Sequence, residues 1–477
     1  MTCVDGRGGV LTPKLSRREV ERSEEASIMY PGYRFWKHWN IPSVLIRSCT
    51  SLSASLHPGG CSPDLTEGHS KQLMNDGKFS LQNLSNLLIR SRLQEIVGAS
   101  KNWSDHLQST KERASLSNQL VSKQEDLPHR RMKDSYLEAY LPLGSQPNLR
   151  EKYLNVHKHV RFGRILEDLD SFGVLISYTH AKTDNPRSPF SIVTALVDEI
   201  DLVKKMIRPD CDLKFTGNVT WVGKSSMEVQ MHVSQYHDDV YNPVLDATFV
   251  MVARDPANKS AAVINPLKPE GPEEENLFKQ GNLNKAKRTK LKETSLLKTA
   301  PNEEERNIIH NMFLGTLDMQ TVSFRSRKLP ANSVWMDQTK LKSLEICHPQ
   351  ERNIFNKIFG GFLMRKAFEL AWANACVYGN SRPHAIAVDD ILFQKPVEIG
   401  SLLYLSSQVC YTEDKYIQVR VHSEVVDPLT KEHSTTNIFH FTFGCETEVK
   451  QVIPKTYGES MLYLDGKRHF KARIIKN

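Results

Sequence analysis

No stretch of this 477-residue chain approaches the ~18 consecutive apolar residues that a membrane-spanning helix needs, so no transmembrane segment is expected. None of the eight cysteines (Cys3, Cys49, Cys61, Cys211, Cys347, Cys376, Cys410 and Cys445) pairs as C-x-x-C, which argues against a metal ribbon. In a chain this long they read as reduced thiols, mostly small buried apolar side chains. The sequence has no G-x-S-x-G elbow, no G-x-x-x-x-G-K-[ST] or G-x-G-x-x-G phosphate loop and no H-E-x-x-H pair. Serine hydrolases of the α/β type, nucleotide phosphate loops and zinc proteases are therefore unsupported, and no metal is expected.

What is present fits a globular protein: 39% apolar and 25% charged residues. The net charge of +8 is mild and dispersed, with one local run at Lys285–Lys292. A nucleic-acid binder concentrates its charge on one face, so none is expected as a partner. The excess also suits binding of an anionic phosphorylated molecule, or import into mitochondria. From Ala26 to Pro63 there is no Asp or Glu, while Arg34, Lys37 and Arg47 sit among serines and aromatics, the pattern of a mitochondrial presequence. Asp5, Glu19, Glu21, Glu24 and Glu25 do not suit import, and a start at Met29 would resolve the conflict. The other reading is a tail without an address.

The decisive feature is an internal repeat. "LVDEID" at Leu196–Asp201 matches "AVDDIL" at Ala387–Leu392, an offset of 387 − 196 = 191. The segments beginning at Leu213, Met227 and Asp246 match those at Leu403, Ile417 and Thr436, each 190 residues on. Each block alternates apolar and polar residues at period two, as strands do. "VGKSS" and "TEDK" are the corresponding hairpin turns. Upstream of the strands in each half lies one long apolar helix, over 165–177 and 361–377. The expected fold class is α+β, each half a helix covered by a curled antiparallel sheet. The expected divisions are a targeting and poorly ordered region over 1–92, one domain over 132–256, a linker with helical pieces over 257–330, a second domain over 334–450, and a tail over 451–477. Asn302 is a candidate N-cap with Glu303–Glu305 in the first turn.

The strings "RMKDSY" (Arg131–Tyr136), "VRFGRILEDLDSFGVLISY" (Val160–Tyr178), "LDATFVMVARD" (Leu245–Asp255), "HPQERNIFNKIFGGFLMRKAFELAW" (His348–Trp372) and "PKTYGESMLYLDGKRHF" (Pro454–Phe470) carry a family resemblance. The chain resembles the mitochondrial double-hotdog acyl-CoA hydrolases from about Leu93 to Phe470. The resemblance implies a tandem hotdog fold and hydrolysis of acyl-CoA thioesters to a free acid and coenzyme A. It also implies a matrix location, no cofactor beyond the coenzyme A of the substrate, and an active site between two hotdog units. A homo-oligomer, and peripheral association with the inner membrane, are further expectations. A hotdog hydratase or dehydratase and a non-catalytic acyl-CoA sensor are the competing readings.

An attacked thioester carbonyl becomes an oxyanion, which backbone N–H groups at a helix N-terminus stabilise. Gly360 and Gly361 suit that role, or a close coenzyme A contact, or tight helix–strand packing. Attack also needs a general base or a carboxylate nucleophile. Asp168 stands four residues after Arg164 and reads as a surface pair. Asp170 neighbours Leu166, Gly173 and Val174, which places it at the edge of the buried face, and it aligns with the family's helix carboxylate. Glu369 is the second half's only helix acid, but Arg365 and Lys366 offer it an ion pair, and Phe368 stands where the family acid would align. Asn353 and Asn356 are both candidates for the polar partner, with Asn356 preferred. Asn155, His157 and His159 occupy the matching stretch of the first half and read as structural. Arg161, Arg164, Lys357 and Arg365 flank the two helix entrances and are the candidates for binding coenzyme A phosphates.

Overall fold

The computed structural model describes residues 79–81, 86–202, 206–257, 260–318, 320–321 and 323–474. The acid-free segment and Met29 lie outside them. A leading arm consists of β1 (Phe79–Leu81), α1 (Asn86–Val97) and α2 (His106–Ser115). The first half runs β2 (Leu137–Leu141), the short α3 (Pro147–Arg150), α4 (Phe162–His180), β3 (Ser191–Leu202), β4 (Leu213–Val222), β5 (Ser226–His237) and β6 (Val240–Arg254). Two connecting helices follow, α5 (Gly271–Glu293) and α6 (Glu303–Leu314). The second half runs β7 (Ser333–Trp335), β8 (Lys340–Ile346), α7 (Gly360–Gly379), β9 (His384–Phe393), β10 (Leu402–Glu413), β11 (Tyr416–Val426), β12 (His433–Gly444) and β13 (Gln451–Ile453), and ends in α8 (Tyr457–Ile474).

The two halves share one sheet. Its order is β1-β2-β4-β5-β6-β3-β9-β12-β11-β10-β8, so the strand order mirrors itself about the β3–β9 seam. There the strands run antiparallel, with Leu196 opposite Leu392 and Ile200 opposite Val388. The repeat extends to its irregularities. A bulge between Val219 and Trp221 recurs between Val409 and Tyr411, 190 residues later. Alternation does the expected work: Leu213, Phe215 and Val219 of β4 are fully buried against α4, and Leu403, Leu405 and Val409 of β10 line the matching core. This is a tandem hotdog.

α4 is buried on nearly every face, as an apolar helix wrapped by a sheet and crossed by a partner helix must be. That partner is α7, and glycine lets the two approach. A Cβ on Gly361 would lie 2.8 Å from the Glu167 Cα, and one on Gly163 would lie 2.9 Å from the Arg365 Cγ. The paired glycines therefore serve packing whatever else they do.

Between the halves, Asn302 caps α6 in a reciprocal box with Glu305. α5 docks on β4, where the Trp221 indole N–H donates to Asn282 at 2.9 Å. Residues 451–474 differ from the expected tail. β13 pairs with β7, and α8 packs Tyr463 and Phe470 against Tyr411, with ring centroids 5.1 and 5.3 Å apart. The charged residues of α8 hide this from a reading by hydropathy, because several of them bind acids of the sheet: Arg473 reaches Asp389 and Glu199, and His469 Nδ1 pairs with Asp389 at 2.7 Å.

Candidate active site

The helix entrances are built alike. In the second half the Asn353 side-chain oxygen accepts from the N–H groups of Phe355 (2.8 Å) and Lys357 (3.1 Å), which folds the loop before α7. In the first half Asn155 does the same for His157 (2.9 Å) and His159 (3.0 Å) before α4. Lys158 and Asn356 take the matching left-handed conformations, at φ 62° and 58°. The entrances are thus related by 353 − 155 = 198 residues.

The same offset relates Gly163 to Gly361 and Asp170 to Phe368. Asp170 is buried beside the entrance of the other half. Its Oδ2 accepts from the Gly361 N–H at 2.8 Å, and its Oδ1 from the Thr194 hydroxyl of β3 at 2.5 Å. Burial pushes Asp170 up to about 6, although both hydrogen bonds favour the charged form. At the related position the acid is replaced by Phe368, whose ring meets Phe162 edge-on at 5.1 Å and Phe441 at 5.6 Å. Phe162 in turn stands where the second half has Gly360. The α7 entrance borders a cavity, while the α4 entrance is filled with aromatic rings.

Asp170 and Gly360 line a cavity of about 660 Å³. Its walls include Val174, Ile192, Ile354, Phe355 and Phe393 and both asparagines, Asn353 and Asn356. Asn356 Nδ2 also donates to the Thr110 hydroxyl of the arm at 3.2 Å.

Other candidates are placed elsewhere. Asp168 is not a surface residue: it is fully buried, accepts from the Tyr153 hydroxyl at 2.8 Å, and is pushed well above the carboxylate range by burial. Its expected partner, Arg164, binds Glu167 instead, at 2.8 Å. Glu167 is buried too, and a second guanidinium, Arg365 from α7, meets it at 2.7 Å. This ion triad crosses between the halves.

Glu369 pairs with Arg161 at 2.6 Å and lies outside the cavity lining. Lys357 lines the cavity but is paired with Glu398. So all four expected phosphate-binding cations have carboxylate partners, Arg161 and Arg365 in the opposite half and Arg164 and Lys357 in their own. His440, Asp465 and His469 bring possible metal-ligand atoms within 4.8 Å. The two rings stack 3.8 Å apart at 19°, and His469 Nδ1 is already bound to Asp389 at 2.7 Å. Thr194 and the arm residues facing the cavity carry no sequence signal that would have singled them out.

A helix acid of one hotdog is thus held against the glycine entrance of a second, beside a largely apolar cavity. Comparison with models of known families finds none that matches this chain. Individual proteins do match. The chain is 62% identical to human mitochondrial acyl-coenzyme A thioesterase 9 over 428 residues, covering 90% of this chain and 95% of that one. It is 66% identical to the Bos taurus protein of the same name, covering 80% and 88%. An acyl-CoA hydrolase from Staphylococcus aureus, solved with butyryl coenzyme A, superposes on 30% of this chain and 93% of its own, with 24% identity and a TM-score of 0.29, too slight a match to argue from. The chain belongs to the acyl-coenzyme A thioesterase family. The mitochondrial location expected from the acid-free segment agrees with the names of these relatives. Among the described residues no helix is long and apolar enough to cross a membrane.

Proposed function

We propose that this chain hydrolyses acyl-CoA thioesters at a single composite site, with Asp170 as general base. A water in the cavity gives its proton to Asp170 as its oxygen attacks the thioester carbonyl carbon. The carbonyl oxygen, now negative, is held by backbone donors at the α7 entrance. Gly360 is the favoured donor, since the Gly361 N–H is bound to Asp170 and the first N–H groups of a helix lack internal partners. When the intermediate collapses the C–S bond breaks, the coenzyme A sulfur leaves with the bonding pair, and Asp170 returns the proton to it. The products are the free acid and coenzyme A. Asn356 suits the role of water holder: its amide nitrogen is bound to Thr110, which leaves its oxygen to accept.

No cofactor takes part in this scheme. Assembly into a homo-oligomer belongs to the same proposal. The open edge at β8, with Leu344 and Ile346 exposed, favours it, and light scattering would test it.

The observation that carries the reading is the buried contact between Asp170 and Gly361 across the halves. Its test is thiol release by the purified protein over a panel of acyl-CoAs as a function of pH. A base that titrates near neutrality makes kcat/KM fall on the acid side of about pH 6. A profile that stays flat well below that pH contradicts the assignment.

A further inference from the structure

The arm ahead of the first hotdog, absent from the two-domain scheme, forms part of the cavity. Leu93 of α1, Thr110 and Arg113 of α2, and Trp103 between them all face it. The arm is tied to both halves. Arg352 Nη2 donates to the Lys101 carbonyl at 2.7 Å, and the Ser188 N–H to the Ile96 carbonyl at 2.8 Å.

Two arginines of this arm line the cavity, Arg90 and Arg113. Arg113 is only 7% exposed. It donates to the Ser191 hydroxyl at 3.0 Å and sits over the Phe355 ring, 4.5 Å from its centroid, while its buried Nε–H finds no partner. Arg90 donates to the Arg352 carbonyl. Neither has a carboxylate within ion-pair distance among the described residues. Burial lowers both from the usual guanidinium range; the charge of Glu351 partly offsets this at Arg90, and no carboxylate does so at Arg113. A buried cation without a counter-charge is costly, and an anion arriving with a ligand removes that cost. The contrast with Arg161, Arg164, Lys357 and Arg365 is direct, since each of those already has its acid.

We infer that Arg113, supported by Arg90, binds an anionic oxygen group of the substrate in this cavity. The group is a phosphate of the coenzyme A moiety or a carboxylate at the far end of the acyl chain. The inference rests on the proposed hydrolytic reading of the same cavity.

The test compares Arg113→Met and Arg113→Lys with the unaltered protein on three thioesters: butyryl-CoA, an ω-carboxyacyl-CoA, and S-butyryl-N-acetylcysteamine, which lacks phosphates. A lost charged hydrogen bond should raise KM about tenfold in the Met variant with kcat little changed, and Lys should restore part of it. If the group is a phosphate, both CoA esters shift and the cysteamine ester does not. If it is a distal carboxylate, only the ω-carboxyacyl ester shifts. An unchanged KM for both CoA esters, or an equal change on all three thioesters, overturns the inference.

Should the variants fail to fold, the unaltered protein still decides. Inorganic pyrophosphate or adipate should compete with a CoA ester at matched ionic strength, and no competition by either defeats the idea. Loss of turnover in Asp170→Asn with no Arg113 effect would leave the hydrolytic reading standing and remove only this one.

Discussion

At the scale of single residues, the account turns on how a carboxylate is kept both buried and usable. Glu167, Asp168 and Asp170 lie within one turn of α4, and all three are buried. They are held differently. Glu167 has two guanidiniums, Asp168 a phenol, and Asp170 only a hydroxyl and a backbone N–H. Among the described residues neither Asp168 nor Asp170 has a cation within ion-pair distance, and of the three only Asp170 lines the cavity. Thr194→Val tests this balance. Removing the hydroxyl donor removes a bond that favours the charged form, so Asp170 rises further. The acid limb of kcat/KM should move up by roughly one pH unit, and an unmoved limb would show that the hydroxyl does not tune the acid. The burial of Asp170 was legible in the sequence, because Leu166, Gly173 and Val174 around it mark a buried helix face. Thr194 was not, since a threonine in a strand is ordinary. Nor was the fate of Arg161 and Arg365, whose partners Glu369 and Glu167 come from the opposite half and depend on how two helices cross.

At the scale of elements, α8 locks the seam between β3 and β9. Arg473 bridges Asp389 of β9 and Glu199 of β3, and His469 pairs with the same Asp389. Burial opposes a charged His469, yet the hydrogen bond and charge of Asp389 override it and push the imidazole up to about 9. The stabilisation is therefore complete below the ordinary histidine value near 6.5 and is lost as pH rises through about 9. Thermal unfolding should show a decline across that window, on the order of 3 kcal/mol at most. Asp389→Asn should flatten it, and an unchanged decline in that variant would place its cause elsewhere. The strands were legible from period-two alternation and the 190-residue offset, and α4 and α7 from their apolar runs. α8 and the arm were not. Their sequences are polar, and they fold because their charges and aromatic rings find partners on a surface already built by the rest of the chain.

At the scale of the whole molecule, duplication has produced symmetry of fold without symmetry of chemistry. The mirrored sheet, the recurring bulge and the twin asparagine loops preserve the repeat. Phe162 and Phe368 replace a glycine and an acid in one of the two entrances. In the proposed scheme the chain has one working site, with its acid from the first half and its glycine entrance from the second. The most direct test is thiol release by Asp170→Asn set beside Glu369→Gln. Loss of a general base should lower kcat by about a hundredfold or more in the first, with CoA still bound, while the second stays within about threefold of the unaltered protein. An Asp170→Asn variant that turns over at the unaltered rate, or a Glu369→Gln variant that is the inactive one, would contradict the account.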